Sequence, residues 1–451
     1  MQIPVLGLIG VVEDEENLSM WAELADRPLD PKVSIDGVKK RDDDDDVWRR
    51  SLMVDISGRL ASGYEPVREA FAENFRSRGE VGAAVAVVVG NELVVDLWGG
   101  MANPRQNRPW AEDTLVTMFS TTKGMSGLAT AHAHSRGLFD YDEKVSTYWP
   151  EFAQNGKEEI TVRTLLSHQA GLCAIDEPLD LDTLADPDAM AGAIAKQSPA
   201  WEPGRKHGYH GITLGWYESE LIRRTDPQRR TIGRYFADEI AAPLGLEFYI
   251  GLPDHIPDER VARIMADWYR LKMILKIRTL PPEYVKGLLN PRSITARTFA
   301  NPKVLAQPIR NNDRALLRIE LPSHNGTGTV RSVALAYGEF GSGGKRLGID
   351  AATLAALSQP ATAPTDGFFD QVMRIDLAYS LGFGKQIPGR ESGFPRAFGH
   401  GGAGGSFGAA VPELEMGYCY AMNRLGFHLL DDPREAALRE AAAEAAKTRL
   451  S

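Results

Sequence analysis

The stretch Asp113-Thr-Leu-Val-Thr-Met-Phe-Ser-Thr-Thr-Lys-Gly124 decides how this chain reads. Asp113 to Phe119 has strand character, and Thr121 to Arg136 has a helical pattern that stops at Gly137. Between them stands Ser120-Thr-Thr-Lys123. A serine at the first turn of a helix and a lysine three residues on leave from the same face. A deprotonated amine there can take the hydroxyl proton, and the helix N-terminus favours negative charge on the group attacked.

A Ser-x-x-Lys spacing alone is weak, because a chain of 451 residues carries chance matches. A second copy, Ser342-Gly-Gly-Lys345, lies among glycines that each cost roughly 1 kcal/mol in a helix interior. Without a helix the i+3 geometry is not enforced, so Ser342 reads as a loop residue.

Working outward, a 43% hydrophobic and 25% charged composition is ordinary for a globular protein, and the length allows two or three domains. A net charge of −10 argues against nucleic acid as a principal partner. Cys173 and Cys419 have no metal-type spacing and read as packed thiols. Ile3 to Val12 is apolar, but no cation precedes it and Asp14, Glu15 and Glu16 follow, which does not fit a secretory signal. No apolar run approaches the ~20 residues that span a bilayer. A cytoplasmic protein without stable membrane insertion is the expectation.

Residues 36–50 carry a dense charge cluster that reads as a solvated connector closing a leading extension. Glu65 to Arg78 reads as an amphipathic helix with Val67, Phe71 and Phe75 on one stripe. Ala83–Val89 and Glu92–Trp98, separated by Gly90-Asn91, predict a tight hairpin. The chain is helical in pattern from Ser120 to about Ala361. Strand signals return at Phe394–His400, Gly405–Val411 and Met416–Met422, and Asp432-Pro433 opens a final helix to Leu450. No internal repeat is evident. Strands at both ends with helices between predict one sheet built from both termini. The expected division is an extension, residues 1–55, and a catalytic domain, residues 56–451. Within the latter, residues 56–118 and 375–451 form the sheet half and 119–374 the helical half.

Three further segments fall in order after Ser120. Leu165-Leu-Ser-His168 reads as a helix end, Tyr209 lies in Trp201-Glu-Pro-Gly-Arg-Lys-His-Gly-Tyr-His-Gly211, and His400-Gly401-Gly402 lies in Phe398–Ser406. Together with Ser120 and Lys123 they resemble the penicillin-recognising serine hydrolases, specifically the family VIII carboxylesterases related to class C β-lactamases. The resemblance covers roughly residues 65 to 430. It implies an α/β (α+β) β-lactamase/transpeptidase-like fold, an antiparallel sheet flanked by helices with a mainly helical half inserted. It implies Ser120 as nucleophile, Lys123 as its proton acceptor and Tyr209 as a second acid/base group serving the leaving alcohol and then the deacylating water. It also implies an oxyanion hole from the backbone N–H groups of Ser120 and Ala403, and substrate contact by His400, Gly401 and Gly402.

The departures are informative. Related lactamases have asparagine two residues after the tyrosine, where this chain has Gly211, and a Lys-Thr-Gly triplet where it has His400-Gly401-Gly402. The groups that hold a lactam's amide and carboxylate are therefore missing, which fits a small-molecule ester instead. Hydrolysis of esters is the expected activity. Acyl transfer to an alcohol or amine, hydrolysis of β-lactams or D-Ala-D-Ala, and a non-catalytic scaffold are the alternatives, and self-association stays open.

The other histidines read as structural. His168 suits packing or capping, and His132 and His134 lie on different helix faces. No zinc-ligand spacing occurs, so neither metal nor cofactor is expected. Gly404-Gly-Ser-Phe-Gly408 fits a G-x-S-x-G nucleophile elbow, but no helix follows Ser406 as that elbow requires. Gly399–Gly404 fits G-x-G-x-x-G and fails for the same reason. Between Asp254 and Asn325 the chain is least like the family. There Trp268–Arg278 reads as a helix covering the cleft, whose apolar face would form an acyl or alcohol pocket.

Overall fold

A computed structural model describes residues 54–266, 279–391 and 393–450. The leading extension up to residue 53 and the Trp268–Arg278 segment lie outside the described residues. The main sheet has nine strands and follows the order β1-β3-β2-β12-β11-β10-β9-β8, with β4 beside β3. Its first half comprises β1 (Ile56–Leu60), β2 (Gly82–Val89), β3 (Glu92–Asn103) and β4 (Arg108–Pro109). A small separate sheet joins β5 (Val116–Thr117), β6 (Phe248–Tyr249) and β7 (Thr327–Gly328) in the order β5-β7-β6. The second half of the main sheet comprises β8 (Ala378–Ser380), β9 (Phe383–Lys385), β10 (Phe398–Gly401), β11 (Phe407–Val411) and β12 (Met416–Met422).

The two halves meet where β2 pairs antiparallel with β12, Val85 opposite Tyr420 and Ala86 opposite Cys419. Every residue of both strands is buried. That explains why Ala83–Val89 is apolar without alternation: helices cover both faces. Val330–Gly341 lies against β2, β11 and β12, while the helices Glu65–Arg76 and Pro433–Leu450 pack on one another and on the sheet. Val67, Phe71 and Phe75 form the buried stripe of the first of these, as their spacing predicts. The hairpin turn places Gly90 at φ 54° and Asn91 at φ 68°, the left-handed pair that a two-residue turn requires.

Element limits differ from expectation in two places. The strand expected over Asp113–Phe119 reduces to the two residues of β5, because its partner β7 is equally short. The strand expected from Phe394 begins only at Phe398, after a turn. Ser342 caps the C-terminal end of the helix Val330–Gly341, and Gly343 follows with φ 96°, so its Lys345 partner is not on a helical face. Both cysteines are buried free thiols. Among the described residues no helix is long and apolar enough to cross a membrane.

The C-terminal helix is fixed by a buried ionic cluster. Arg434 donates to Asp432 at 2.9 Å and to the carbonyls of Gly404 at 2.8 Å and Arg424 at 2.9 Å, with Glu80 at 3.3 Å. Tyr420 donates to the same Glu80. Removing one partner of such a network strands the others without water. Arg434→Met is expected to lose on the order of 3–5 kcal/mol in urea unfolding, against well under 1 kcal/mol for the exposed pair broken by Lys447→Met.

Candidate active site

The chain leaves β5 and reverses sharply at Phe119, which holds φ 48°, before the short 3-10 turn Phe119–Thr121 runs into the helix Thr122–Ser135. A left-handed non-glycine costs on the order of 1–3 kcal/mol and persists only where surrounding structure enforces it. Here His324 packs edge-on against the Phe119 ring at 5.5 Å. Ser120 is thereby presented at the end of the turn, partly exposed, with Lys123 one turn on.

Lys123 is fully buried. Its Nζ lies 3.2 Å from Ser120 Oγ, and it donates to the carbonyls of Gly211 at 2.6 Å and Ser323 at 2.9 Å. Burial pushes the ammonium down to about 7, while the Glu218 carboxyl acts the other way. Tyr209 completes the cluster. Its ring lies under Lys123 Nζ at 4.9 Å, and Ser120 is near enough to its phenol to act on it. Burial pushes that phenol up, while Ser120 acts the other way. Desolvation disfavours the charged form of each group, so near neutrality the amine loses its proton readily while the phenol keeps its own, and both face one hydroxyl.

Tyr209 is held from behind. Asp370 accepts from its backbone N–H at 2.9 Å and from Val372 and Met373 at 2.8 and 2.7 Å. Burial raises the Asp370 carboxyl to about 7 against these bonds and one from Tyr379. Tyr379 stacks on the Tyr209 ring at 5.9 Å and 13°, and His400 stacks on it at 5.7 Å and 27°. His168 sits near the same ring, at 5.4 Å, and its Nδ1 accepts from the His210 backbone N–H at 2.9 Å. It is a packing residue, as expected.

His400 is buried, and its Nδ1–H donates to the Gly401 carbonyl at 2.7 Å. Burial pushes its imidazole down to about 3. It therefore backs the phenol as a neutral ring. Gly401 is exposed and Gly402 half-buried. The turn from Gly402 through Ala403 to Gly405 is tied to the Ser120 segment by Ser406, whose Oγ donates to Met118 O at 3.0 Å and lies 3.0 Å from Thr121 Oγ1. Ser406 is thus buried in a strand-to-strand connection, not on an elbow. His132 pairs with Tyr235 at 2.9 Å and His134 stacks on Tyr141 at 3.8 Å, so the two point to different neighbours. Among the described residues no cluster of metal-ligating side chains occurs.

Asp370, Tyr379, Ser323 and Glu218 carry no motif signal and were not singled out from sequence. Nor was Phe299. A Cβ on Gly211 would come within 2.7 Å of the Phe299 ring and 3.2 Å of Thr298 Cγ2. The space in which an asparagine side chain would stand is filled by an aromatic ring from the helix Ile294–Ala300.

Two outcomes are expected. Gly211→Asn should lose roughly 1–3 kcal/mol by overpacking, and less in a Phe299→Ala background, giving a coupling energy of about 1 kcal/mol in a double-mutant unfolding cycle. The second concerns Lys123, whose amine falls from its ordinary 10.5 to about 7 on folding. Between those limits the unfolded chain binds the extra proton, so the Lys123 contribution makes stability rise with pH across that window. Lys123→Met should therefore lack this rise: whatever the pH-independent cost of leaving the Gly211 and Ser323 carbonyls without a donor, the variant's stability relative to the parent should fall by on the order of 2–4 kcal/mol between pH 7 and pH 10.5 in urea titrations.

Comparison with known proteins supports the same architecture. The Beta-lactamase family profile matches residues 67–443. The chain is 32% identical over 369 residues to esterase/beta-lactamase LipL of Mycobacterium tuberculosis (strain ATCC 25618 / H37Rv), covering 80% of this chain and 81% of that protein. A crystal structure of a family VIII carboxylesterase superimposes with a TM-score of 0.74 at 35% identity, over 87% of this chain and all, 100%, of that one. A penicillin-binding protein homologue from Caulobacter crescentus gives 0.73 at 33% identity, over 87% and 100%.

Proposed function

Since the chain belongs to the Beta-lactamase family and is a serine hydrolase of the esterase type, we propose that it cleaves carboxylic esters through an acyl-enzyme on Ser120. The observation that carries this reading is the trio of contacts at Lys123 Nζ. A neutral amine has two N–H bonds and one lone pair. The carbonyls of Gly211 and Ser323 take the two N–H groups, which leaves the lone pair for the Ser120 hydroxyl proton.

In acylation Lys123 accepts that proton as Oγ bonds to the ester carbonyl carbon. The oxyanion rests against the backbone N–H groups of Ser120 and Ala403; losing one such donor costs on the order of 3 kcal/mol. When the tetrahedral adduct collapses, the bond to the alkoxy oxygen breaks and the leaving alkoxide takes the Tyr209 phenolic proton. Lys123, now an ammonium, returns its proton to the phenolate beside it. In deacylation water attacks the acyl carbon, gives a proton to the Lys123–Tyr209 pair, and Ser120 Oγ leaves and is reprotonated. Lys123 and Tyr209 titrate as one coupled unit in this cycle. Gly401 and Gly402 form the open rim along which substrate approaches, with His400 behind the phenol. Phe299 in place of an asparagine amide favours an uncharged ester over a lactam.

A short-chain nitrophenyl ester tests the reading. Wild type is expected to release a burst of nitrophenol, which Ser120→Ala abolishes with at least ~10³-fold loss of kcat/KM. Tyr209→Phe should cost ~10²–10⁴-fold. Fluorophosphonate labelling should place the adduct on the Ser120 peptide. A label on Ser406 or Ser342, or full activity of Ser120→Ala, would sink the proposal; nitrocefin turnover exceeding ester turnover would redirect it to lactams.

A further inference from the structure

Glu218 lies on the helix Leu214–Thr225, which packs directly on the Lys123 helix. Its residue exposure is 0%, and neither carboxyl oxygen has a hydrogen-bond partner among the described residues. A buried, unpaired acid is costly, since desolvation is uncompensated. Elsewhere in this core the buried acids are satisfied. Glu80 and Asp432 share Arg434, and Asp370 accepts three backbone N–H groups. Glu218 is the exception, and it stands beside Lys123.

The placement is specific. A Cβ on Gly382, which sits at φ 87°, would come within 2.9 Å of Glu218 Oε1 and 3.4 Å of Gly127 Cα. The carboxyl and Gly127, the residue one turn beyond the lysine on the same helix face, therefore border one small space beside Gly382. Lys123 directs its N–H bonds to Gly211 and Ser323, so amine and carboxyl act on one another through space and not by a direct hydrogen bond.

We infer that Glu218 is a positioning residue for Lys123, a buried counter-charge that governs when the amine is free to accept the Ser120 proton. The inference rests on the acyl-enzyme reading above. Burial raises the Glu218 carboxyl to about 8, with Lys123 acting the other way, and lowers Lys123 to about 7. The pair therefore takes up and loses protons jointly. The amine is free in two joint states, with the acid neutral or ionised, and both are competent. The isoprotic alternative to the first, ammonium with carboxylate, blocks the lone pair. Through that alternative Glu218 holds back the rise of activity as pH increases.

The other groups around the pair do not replace it. Tyr141, from the segment after the Lys123 helix, also feels Glu218, and burial keeps its phenol protonated. Around Lys123 stand the Tyr209 phenol and His168, His210, His324 and His400, each imidazole lowered chiefly by burial and further by Lys123. None supplies a negative charge near neutrality.

The test is the pH profile of kcat/KM for a nitrophenyl ester with full-length Glu218→Gln and Glu218→Leu. Removing the carboxyl deletes the blocked state, so the acidic limb should move to lower pH by roughly 0.5–1 unit in both variants. A uniform loss of rate with the limb in place, as a packing role alone would give, overturns the inference. If either variant fails to fold, the other decides. If both fail, infrared pH titrations of the parent and of Glu218→Asp should differ by a protonated-carboxyl stretch that bleaches across the activity limb and above it, the bands of Asp370 and Glu435 cancelling between the two; no such difference band at pH 6 also overturns it. Activity surviving in Ser120→Ala would instead reject the acyl-enzyme reading and leave the Glu218–Lys123 coupling to be read from the infrared titration.

Discussion

An amine kept out of water beside a serine hydroxyl is the constraint on which this structure turns. Lys123 is fully buried, and the two carbonyls that receive its N–H bonds are 88 and 200 residues away in sequence. The helix alone can bring Ser120 and Lys123 together. It cannot desolvate the lysine. That requires the Gly211 loop and the Pro322–Ser323 segment to close over it, and Ser126, one turn on, helps by donating to Pro322 O at 2.7 Å. The basicity of the amine is thus a property of the closed tertiary structure.

The same closure explains the neighbourhood. His210, His324 and His400 are buried and lowered to about 3, so they remain neutral rings at any pH where esters are turned over. Their nitrogens have structural tasks: His210 Nε2 accepts from the Leu172 N–H at 3.2 Å, and His324 Nε2 meets Asn311 at 3.0 Å. Neutral rings supply shape and stacking without adding positive charge to a site that must accept a proton. Tyr209 is then free to be positioned by contacts alone, Asp370 on its backbone and aromatic rings on its faces.

What could be read from sequence follows the range of each interaction. The Ser120–Lys123 pair, the Gly90-Asn91 hairpin and the Val67–Phe71–Phe75 stripe are local, and periodicity or turn chemistry exposes them. Tyr209 and the His400-Gly401-Gly402 turn lie far apart in the chain, and only a family resemblance linked them to Ser120. Asp370, Ser323 and Phe299 escaped because each acts through backbone or shape. A carbonyl acceptor, a carboxylate on amide groups and a ring filling the absent side chain of Gly211 leave no pattern in the residue types. Short β5 was overread for the converse reason, since β-branched residues there pack around a turn instead of extending a sheet.

Glu218 and Asp370 show how differently one kind of group can be used. Both are buried acids next to the Ser120–Lys123–Tyr209 cluster, and burial raises both. Asp370 gives up its solvent for three N–H bonds and holds a loop in place. Glu218 has no such return, and a leucine would pack the same space without a desolvated carboxyl. Local rules of this kind are broken mainly at functional sites. A group that weakens the fold and has no hydrogen-bond partner among the described residues has a use only through a neighbour it acts on, and on the reading proposed above that neighbour is the amine of Lys123.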